Sequence, residues 1–281
     1  MRGEIHSIDG IDTHVIDEGS GPTIVLLHGA ALGVDTDLTW HRTIDALVDH
    51  FRLVAFDQVG FGHTAMPPAL NYRNRLERVP HAAAVLRHLD ISDACLVGHS
   101  EGAFMAARLA ITEPGLARSL VLVATGGTAP YLGGAGDDEW ITAAQAAYNV
   151  ESGHGIDGYL ATCAILSTTI DTDLEARMRA NFDRALAAGQ DVMFANLPAT
   201  ETDYRRYGDL QAEYVLPHLP DLNIPALLIW GAEDPTVPIK RGELLRDRFR
   251  NATLEIIGGA SHNVMLDRPD RFAAALATFA T

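Results

Sequence analysis

Six short apolar runs, separated by stretches with helical spacing, constrain the fold of this chain more than any other feature. Each run has the length of a strand and is apolar at consecutive positions, which is typical of strands in a parallel sheet covered by helices on both faces. The runs are Thr23–Leu27, Leu53–Phe56, Ala94–Val97, Leu120–Val123, Ala226–Trp230 and the more polar Thr253–Ile257. Alternating strands and helices predict the α/β class, with a doubly wound and mostly parallel sheet.

The amino-terminal segment adds two further strands. Residues Glu4–Ile8 and Ile11–Asp17 alternate apolar and polar side chains around Asp9-Gly10, a pattern that predicts a β-hairpin. The expected sheet therefore has eight strands. At the other end, the alanine-rich stretch Arg271–Phe279 predicts an amphipathic helix.

The alternation stops between residues 128 and 215. Glycines precede this segment and prolines follow it, while Trp140–Tyr148 and Leu174–Ala188 have helical spacing and no strong strand pattern occurs. We therefore predict an α/β core formed by residues 1–127 and 216–281. Residues 128–215 are predicted to form a helical lid inserted into that core.

Composition excludes several classes of function. The formal net charge of −16 disfavours binding to nucleic acid and to anionic membranes, and 47% hydrophobic residues support a packed core. The two cysteines imply no disulfide framework, and from its polar pattern we expect the amino terminus to be neither a signal peptide nor a membrane anchor. We expect a soluble cytoplasmic protein whose partner is a small-molecule substrate. The sequence leaves open whether it forms a homo-oligomer.

The junction after the third of these runs carries the pattern G-x-S-x-G, as Gly98-His99-Ser100-Glu101-Gly102. In a nucleophile elbow the serine occupies a strained turn between strand and helix, and glycines two positions away avoid collisions. The following helix would direct its free backbone N–H groups toward the same point. The alternative is an ordinary turn with a capping serine.

A second strand end supplies a candidate oxyanion hole. After Thr23–Leu27 the chain continues His28-Gly29-Ala30, and the backbone N–H of Ala30 can join that of Glu101 in stabilising a negative oxygen. The alternative is a plain strand-ending turn. We interpret His28 as structural.

Two further strand ends carry an acid and a base. Asp234 follows Ala226–Trp230, and His262 follows Thr253–Ile257. The order Ser100, Asp234, His262 is the chain order of nucleophile, acid and base in α/β hydrolases, so a catalytic triad is predicted. Glu233 competes with Asp234, but the following Pro235 favours Asp234.

Nucleotide and metal sites are not predicted. The stretch Asp57–Thr64 contains two glycines but no nucleotide-binding pattern, so we assign it to architecture, with Asp57 holding backbone amides. No histidine and carboxylate set has convincing metal-ligand spacing, and no cofactor is expected.

With these motifs in order, the chain resembles the α/β-hydrolase superfamily over nearly its whole length. Within it, the chain is most similar to hydrolases that cleave carbon–carbon bonds in ring-fission products of aromatic compounds. The stretches Asp57–Thr64, Val123–Gly127 and Ile170–Arg177 carry that similarity. The resemblance implies that Arg177 grips a substrate carboxylate; the alternative is a solvated helix arginine. Trp40 and His99 complete the candidate substrate-binding set.

The chain departs from these relatives around the nucleophile. His99 stands where they usually have asparagine, and Glu101 where they often have methionine or phenylalanine. Asn263 follows His262, where they usually have an aromatic or small residue. Their Gly-Pro-Gly loop after His28-Gly29 is absent. We predict hydrolysis of a C–C bond in a vinylogous diketone acid. The alternatives are an ester or lactone hydrolase and a hydrolase-like binding protein without turnover.

Overall fold

A single eight-stranded sheet forms the centre of the protein. The computed structural model describes residues 2–148 and 155–281. The strands lie in the order β1-β2-β4-β3-β5-β6-β7-β8. Strand β2 pairs antiparallel with β1 and β4, and all remaining pairs are parallel. Their bounds are β1 Glu4–Ile8, β2 Ile11–Glu18, β3 Thr23–Leu27, β4 Arg52–Phe56, β5 Ala94–His99, β6 Ala117–Val123, β7 Ala226–Gly231 and β8 Ala252–Ile257. The predicted fold class and all eight predicted strands are confirmed.

Helices cover both faces of the sheet, as expected for strands that are apolar on both sides. In the core, the described helices are α1 Thr36–Leu47, α2 Val79–His88, α3 Glu101–Thr112, α11 Ile239–Arg246, α12 Val264–Asp267 and α13 Pro269–Ala280. One hydrophobic cluster joins one face of the sheet to α2, α3 and α11. A second cluster joins the other face to α1, α12 and α13. Burying both faces holds the carboxyl ends of the parallel strands at one rigid edge.

Between β6 and β7 the described chain is helical. Its helices are α4 Ala135–Tyr148, α5 Gly155–Leu166, α6 Thr172–Ala187, α7 Gln190–Ala195, α8 Ala199–Thr202, α9 Tyr204–Tyr207 and α10 Asp209–Tyr214. The two helices predicted in this segment correspond to α4 and α6. Short 3₁₀ turns occur at Pro68–Leu70, between β4 and α2, and at Leu216–Asp221, between α10 and β7. The predicted lid, residues 128–215, includes 149–154, which lie outside the described residues.

Helix α5 was not predicted because its apolar side chains do not form one stripe. Its apolar residues follow one another along the chain, as in Tyr159-Leu160-Ala161 and Cys163-Ala164-Ile165-Leu166, and Ile165 lies opposite Ile156. Such a helix has no amphipathic signature in the sequence. Across the parts of the chain that the structure describes, no helix is long and apolar enough to cross a membrane.

Candidate active site

Ser100 lies on the predicted sharp turn between β5 and α3. Its backbone has φ 53° and ψ −118°, a conformation that non-glycine residues rarely adopt. A Cβ atom at Gly98 would lie 2.2 Å from the carbonyl oxygen of Gly102. A Cβ atom at Gly102 would lie 2.2 Å from the carbonyl oxygen of Leu27. The steric reason for both glycines is therefore visible, and the turn is anchored by a 3.0 Å hydrogen bond from Ser100 N to Val123 O.

His262 and Asp234 are hydrogen-bonded at the carboxyl ends of β8 and β7. His262 Nδ1 lies 2.8 Å from Asp234 Oδ2, and both side chains are buried. The other oxygen, Asp234 Oδ1, accepts from the Thr236 hydroxyl and backbone N–H at 2.8 Å each, and from Val237 N at 3.1 Å. Three donors thus hold the carboxylate in the orientation that meets His262.

A cavity of about 640 Å³ brings these groups together. Ser100, His262, Ala30 and Glu101 all line it. The Nε2 atom of His262 is buried and has no hydrogen-bond partner within residues 2–148 and 155–281. The structure therefore places the four predicted strand-end loops at one site, with a ring nitrogen available at the cavity wall.

His99 lies behind His262 and not in the large cavity. Its Nε2 donates to the backbone oxygen of His262 at 3.1 Å, and the two rings are 4.8 Å apart. Burial, and then the neighbouring His262, lower the pKa of His99 well below its usual value. His99 also lines a cavity of about 60 Å³ beside Ser100. The position fits a neutral side chain that holds the His262 loop, and its role toward substrate stays a prediction.

Glu101, the residue after the nucleophile, is neutralised by a buried arginine. Its Oε2 accepts from Arg78 Nη2, and its Oε1 accepts from the Tyr207 hydroxyl at 2.8 Å. The Tyr72 hydroxyl lies 3.4 Å from Oε2. The Arg78 and Glu101 side chains are 1% and 9% exposed, respectively. The Glu101 carboxylate beside Ser100 therefore forms a structural ion pair with Arg78.

The same arginine connects the site to His28. Arg78 Nη1 donates to the Gln58 side-chain oxygen, and Gln58 Nε2 donates to the His28 backbone oxygen. The His28 ring accepts from Gln58 N through Nε2 at 3.0 Å and donates through Nδ1 to Gly29 O at 2.6 Å. Both ring nitrogens are thus used within the loop, which supports the structural interpretation of His28.

We expect His28 to stay neutral in the folded protein down to acidic pH. Complete burial lowers its pKa to about 4. The unfolded chain should bind this proton near pH 6.5. Because the folded pKa is the lower one, this contribution to stability is complete above about pH 6.5 and is lost as the pH falls toward 4. Imidazole ¹⁵N chemical shifts recorded from pH 7 to pH 3.5 would measure the midpoint, with the urea-unfolded chain as control. A folded-state midpoint near 6.5 would contradict the expectation.

Arg177 and Trp40 lie away from the large cavity. Arg177 donates to Asp37 at 2.6 Å and to Asp173 at 2.9 Å, and it is not among the described residues that line the cavity. Its guanidinium is therefore engaged by two carboxylates. Trp40 is fully buried in the core, with its ring 6.1 Å from that of Phe272. Neither position supports the predicted contact with substrate.

The Asp57–Thr64 stretch is architectural, as predicted. Asp57 accepts hydrogen bonds from the backbone N–H groups of Thr36 and His63, each at 2.8 Å. It also accepts from His14 Nδ1 at 2.8 Å. These bonds tie the end of β4 to the start of α1 and to β2, which positions the loop that contains Gln58.

Sequence reasoning missed several residues of the site. Thr236 lies two residues after Asp234, the spacing at which an aspartate side chain accepts from a backbone N–H in a turn, so its signal was local. Arg78, Tyr207 and Glu201 lie far from the elbow in the chain, and no motif marks them. They come to the site only through folding.

Comparisons with known proteins agree with this architecture. A family model described as the α/β hydrolase fold matches residues 22–269. The 2-hydroxymuconate semialdehyde hydrolase of Pseudomonas sp. (strain CF600) is 30% identical over 276 residues, which cover 96% of this chain and 90% of that protein. A pimeloyl-(acyl-carrier protein) methyl ester esterase of Vibrio vulnificus (strain YJ016) is 28% identical over 276 residues, covering 96% of this chain and 98% of that protein.

A solved structure shows the same fold. A mutant of the meta-cleavage product hydrolase from Pseudomonas fluorescens IP01, complexed with acetates, superposes with a TM-score of 0.83 at 24% identity. The match covers 99% of this chain and 97% of that one. The resemblance inferred from the motifs is confirmed: the chain belongs to the α/β hydrolase fold family and is a hydrolase.

Proposed function

We propose that this protein is a serine hydrolase in which Ser100, His262 and Asp234 form a catalytic triad. The observation that carries the proposal is the 2.8 Å bond from His262 Nδ1 to Asp234 Oδ2, combined with a buried His262 Nε2 that has no partner among the described residues. Both His262 and Ser100 line the same cavity. An imidazole oriented on one side and available on the other is what a serine nucleophile requires.

The proposed mechanism follows from these contacts. Asp234 accepts a hydrogen bond from His262 Nδ1–H, which leaves Nε2 as the basic nitrogen, and the carboxylate stabilises the imidazolium formed on proton transfer. His262 then takes the Ser100 proton as Oγ attacks a carbonyl carbon. The backbone N–H groups of Ala30 and Glu101 would stabilise the oxyanion. The Glu101 amide begins α3, where helical N–H groups have no partner within the helix.

The lining of the cavity disfavours a negatively charged substrate. Its apolar members come from several helices and loops: Leu32, Trp140, Phe182, Phe194 and Leu197. Its charged members are acidic, and none of the described lining residues is lysine or arginine. A carboxylic ester or lactone without an anionic group fits such a wall best, because desolvating a carboxylate without a cation is costly.

A second candidate is hydrolysis of a C–C bond in a vinylogous diketone acid. The 30% identity to the Pseudomonas 2-hydroxymuconate semialdehyde hydrolase supports it. In this candidate a group other than Arg177 would have to bind the carboxylate, since Arg177 is paired with Asp37 and Asp173.

We also propose that residues 128–215 act as a lid. Trp140 on α4, Phe182 on α6 and Phe194 on α7 all line the cavity over Ser100. Their aromatic rings would exclude water from the reacting carbonyl, which strengthens the electrostatic interactions at the site.

Two assays test the proposed function. Labelling with a fluorophosphonate should give a covalent adduct on Ser100, and its absence would instead favour a binding protein without turnover. In parallel, 4-nitrophenyl butanoate and a ring-fission dienoate should be assayed at the same enzyme concentration. We expect kcat/KM to be higher for the ester, and turnover of the dienoate alone would replace our first candidate by the second.

A further inference from the structure

Glu201, on α8, carries a buried carboxylate that the proposed reaction does not use. Its side chain is 4% exposed, and the residue lines the cavity that contains Ser100. Its Oε2 has no hydrogen-bond partner in the described ranges 2–148 and 155–281. The nearest cation, Arg75 Nη1, lies 3.6 Å from Oε2, which is beyond a hydrogen bond. A buried acceptor without a donor is destabilising.

The guanidinium of Arg75 is held by other groups. Its Nη2 donates to the backbone oxygen of Tyr207, and to the side-chain oxygen of Gln211 at 3.0 Å. The cation also lies over the Tyr207 ring, 3.9 Å from the centroid. These contacts hold Nη2, whereas Nη1, the nitrogen nearest Glu201, has no hydrogen-bond partner among the described residues and acts on the carboxylate as a nearby charge.

Glu101 is the other glutamate at this cavity wall. Unlike Glu201, it has hydrogen-bond donors to both of its carboxylate oxygens. Tyr207 donates to one of its oxygens, and Arg78 and Tyr72 approach the other. Burial, and then the charge of Glu101, raise the pKa of Glu201 to about 7. Of the two carboxylates, Glu201 is the one with unused acceptor capacity at the cavity.

We propose that Glu201 determines substrate specificity by accepting a hydrogen bond from a hydroxyl or ammonium group of the molecule that Ser100 attacks. The inference rests on the proposed function, since it places that group in the cavity shared with the nucleophile. Such a donor would satisfy Oε2 and would favour substrates with a polar end over fully apolar ones of the same length.

Matched esters test this assignment. We would compare 4-nitrophenyl esters of unbranched acids that end in methyl, hydroxyl or ammonium, with chains of four to seven carbons. A parallel set of butanoate esters would carry the same end groups on the alcohol portion. Their hydrolysis would be measured by the release of acid at pH 8. We expect the best hydroxyl or ammonium ester to exceed its methyl counterpart in kcat/KM by about tenfold or more. Preference for ammonium alone would identify a cationic substrate group.

The variant Glu201→Gln should reduce that preference to about threefold or less, measured as the ratio of kcat/KM for polar and methyl esters of the same length. Glu201→Met serves as a second variant, since it also removes the unpartnered carboxylate. Glu139→Gln is the matched control, because Glu139 is an exposed glutamate on α4. Equal kcat/KM for polar and methyl esters in the wild type, or a preference that both Glu201 variants keep, would overturn the proposal.

Failure of the subsite and failure of the proposed function give different results. Fluorophosphonate labelling of Ser100 reports on the function in every variant. Calorimetric titration with n-hexylamine and 1-hexanol reports on the subsite without turnover. We expect Glu201→Gln to weaken binding of at least one probe by about tenfold. Unchanged affinity for both probes would overturn the subsite even where labelling succeeds.

Discussion

Replacing Ser100 by alanine is expected to lower kcat by at least about 10⁴-fold while leaving the fold intact. The hydroxyl is the proposed nucleophile, and without it His262 has no alcohol to activate. Alanine adopts the strained backbone at φ 53° no less readily than serine, so the elbow should persist. The loss should therefore appear in turnover and not in the thermal midpoint.

Hydrolysis of 4-nitrophenyl butanoate, with thermal unfolding measured on the same preparation, checks this expectation. Ser7→Ala is the matched control, because Ser7 is an exposed serine on the edge strand β1. If Ser100→Ala kept a tenth or more of wild-type kcat, Ser100 would not be the nucleophile.

The second large effect is on stability, through the ion pair beside the nucleophile. Arg78→Met should lower the free energy of unfolding by about 3–5 kcal/mol, because it leaves the buried Glu101 carboxylate without its cation. For a chain of this size the thermal midpoint should fall by roughly 10 °C. The double variant Arg78→Met/Glu101→Met should recover much of that loss, since an apolar pair of similar volume replaces the two charges.

An exposed ion pair provides the control. Arg179 pairs with Glu175 one helical turn away, and both side chains are nearly half exposed. Arg179→Met should change the free energy of unfolding by less than about 1 kcal/mol. Denaturant titration of the four proteins would measure all these differences. An Arg78→Met protein as stable as the wild type would show that Arg78 does not compensate Glu101.

The sequence also led to two assignments that the structure does not support. Arg177 was expected at the substrate because its helical segment resembles that of related hydrolases. In the fold its nearest carboxylates are Asp37, 140 residues earlier in the chain, and Asp173. Trp40 was expected at the same place and instead fills the core beside Phe272. A local sequence pattern identifies a residue type, but it does not show which side chains will bind that residue in the folded protein.

The sequence by itself determined the sheet, and it predicted that Ser100, Asp234 and His262 lie together at one edge of that sheet. Both followed from local signals: apolar runs define strands, and the carboxyl ends of parallel strands share one edge. Only the tertiary structure decided which charges surround the nucleophile. Arg78 lies 23 residues before Glu101, and Glu201 lies 100 residues after it. Such pairings depend on how helices pack over the sheet edge, and no periodicity in the chain encodes that arrangement.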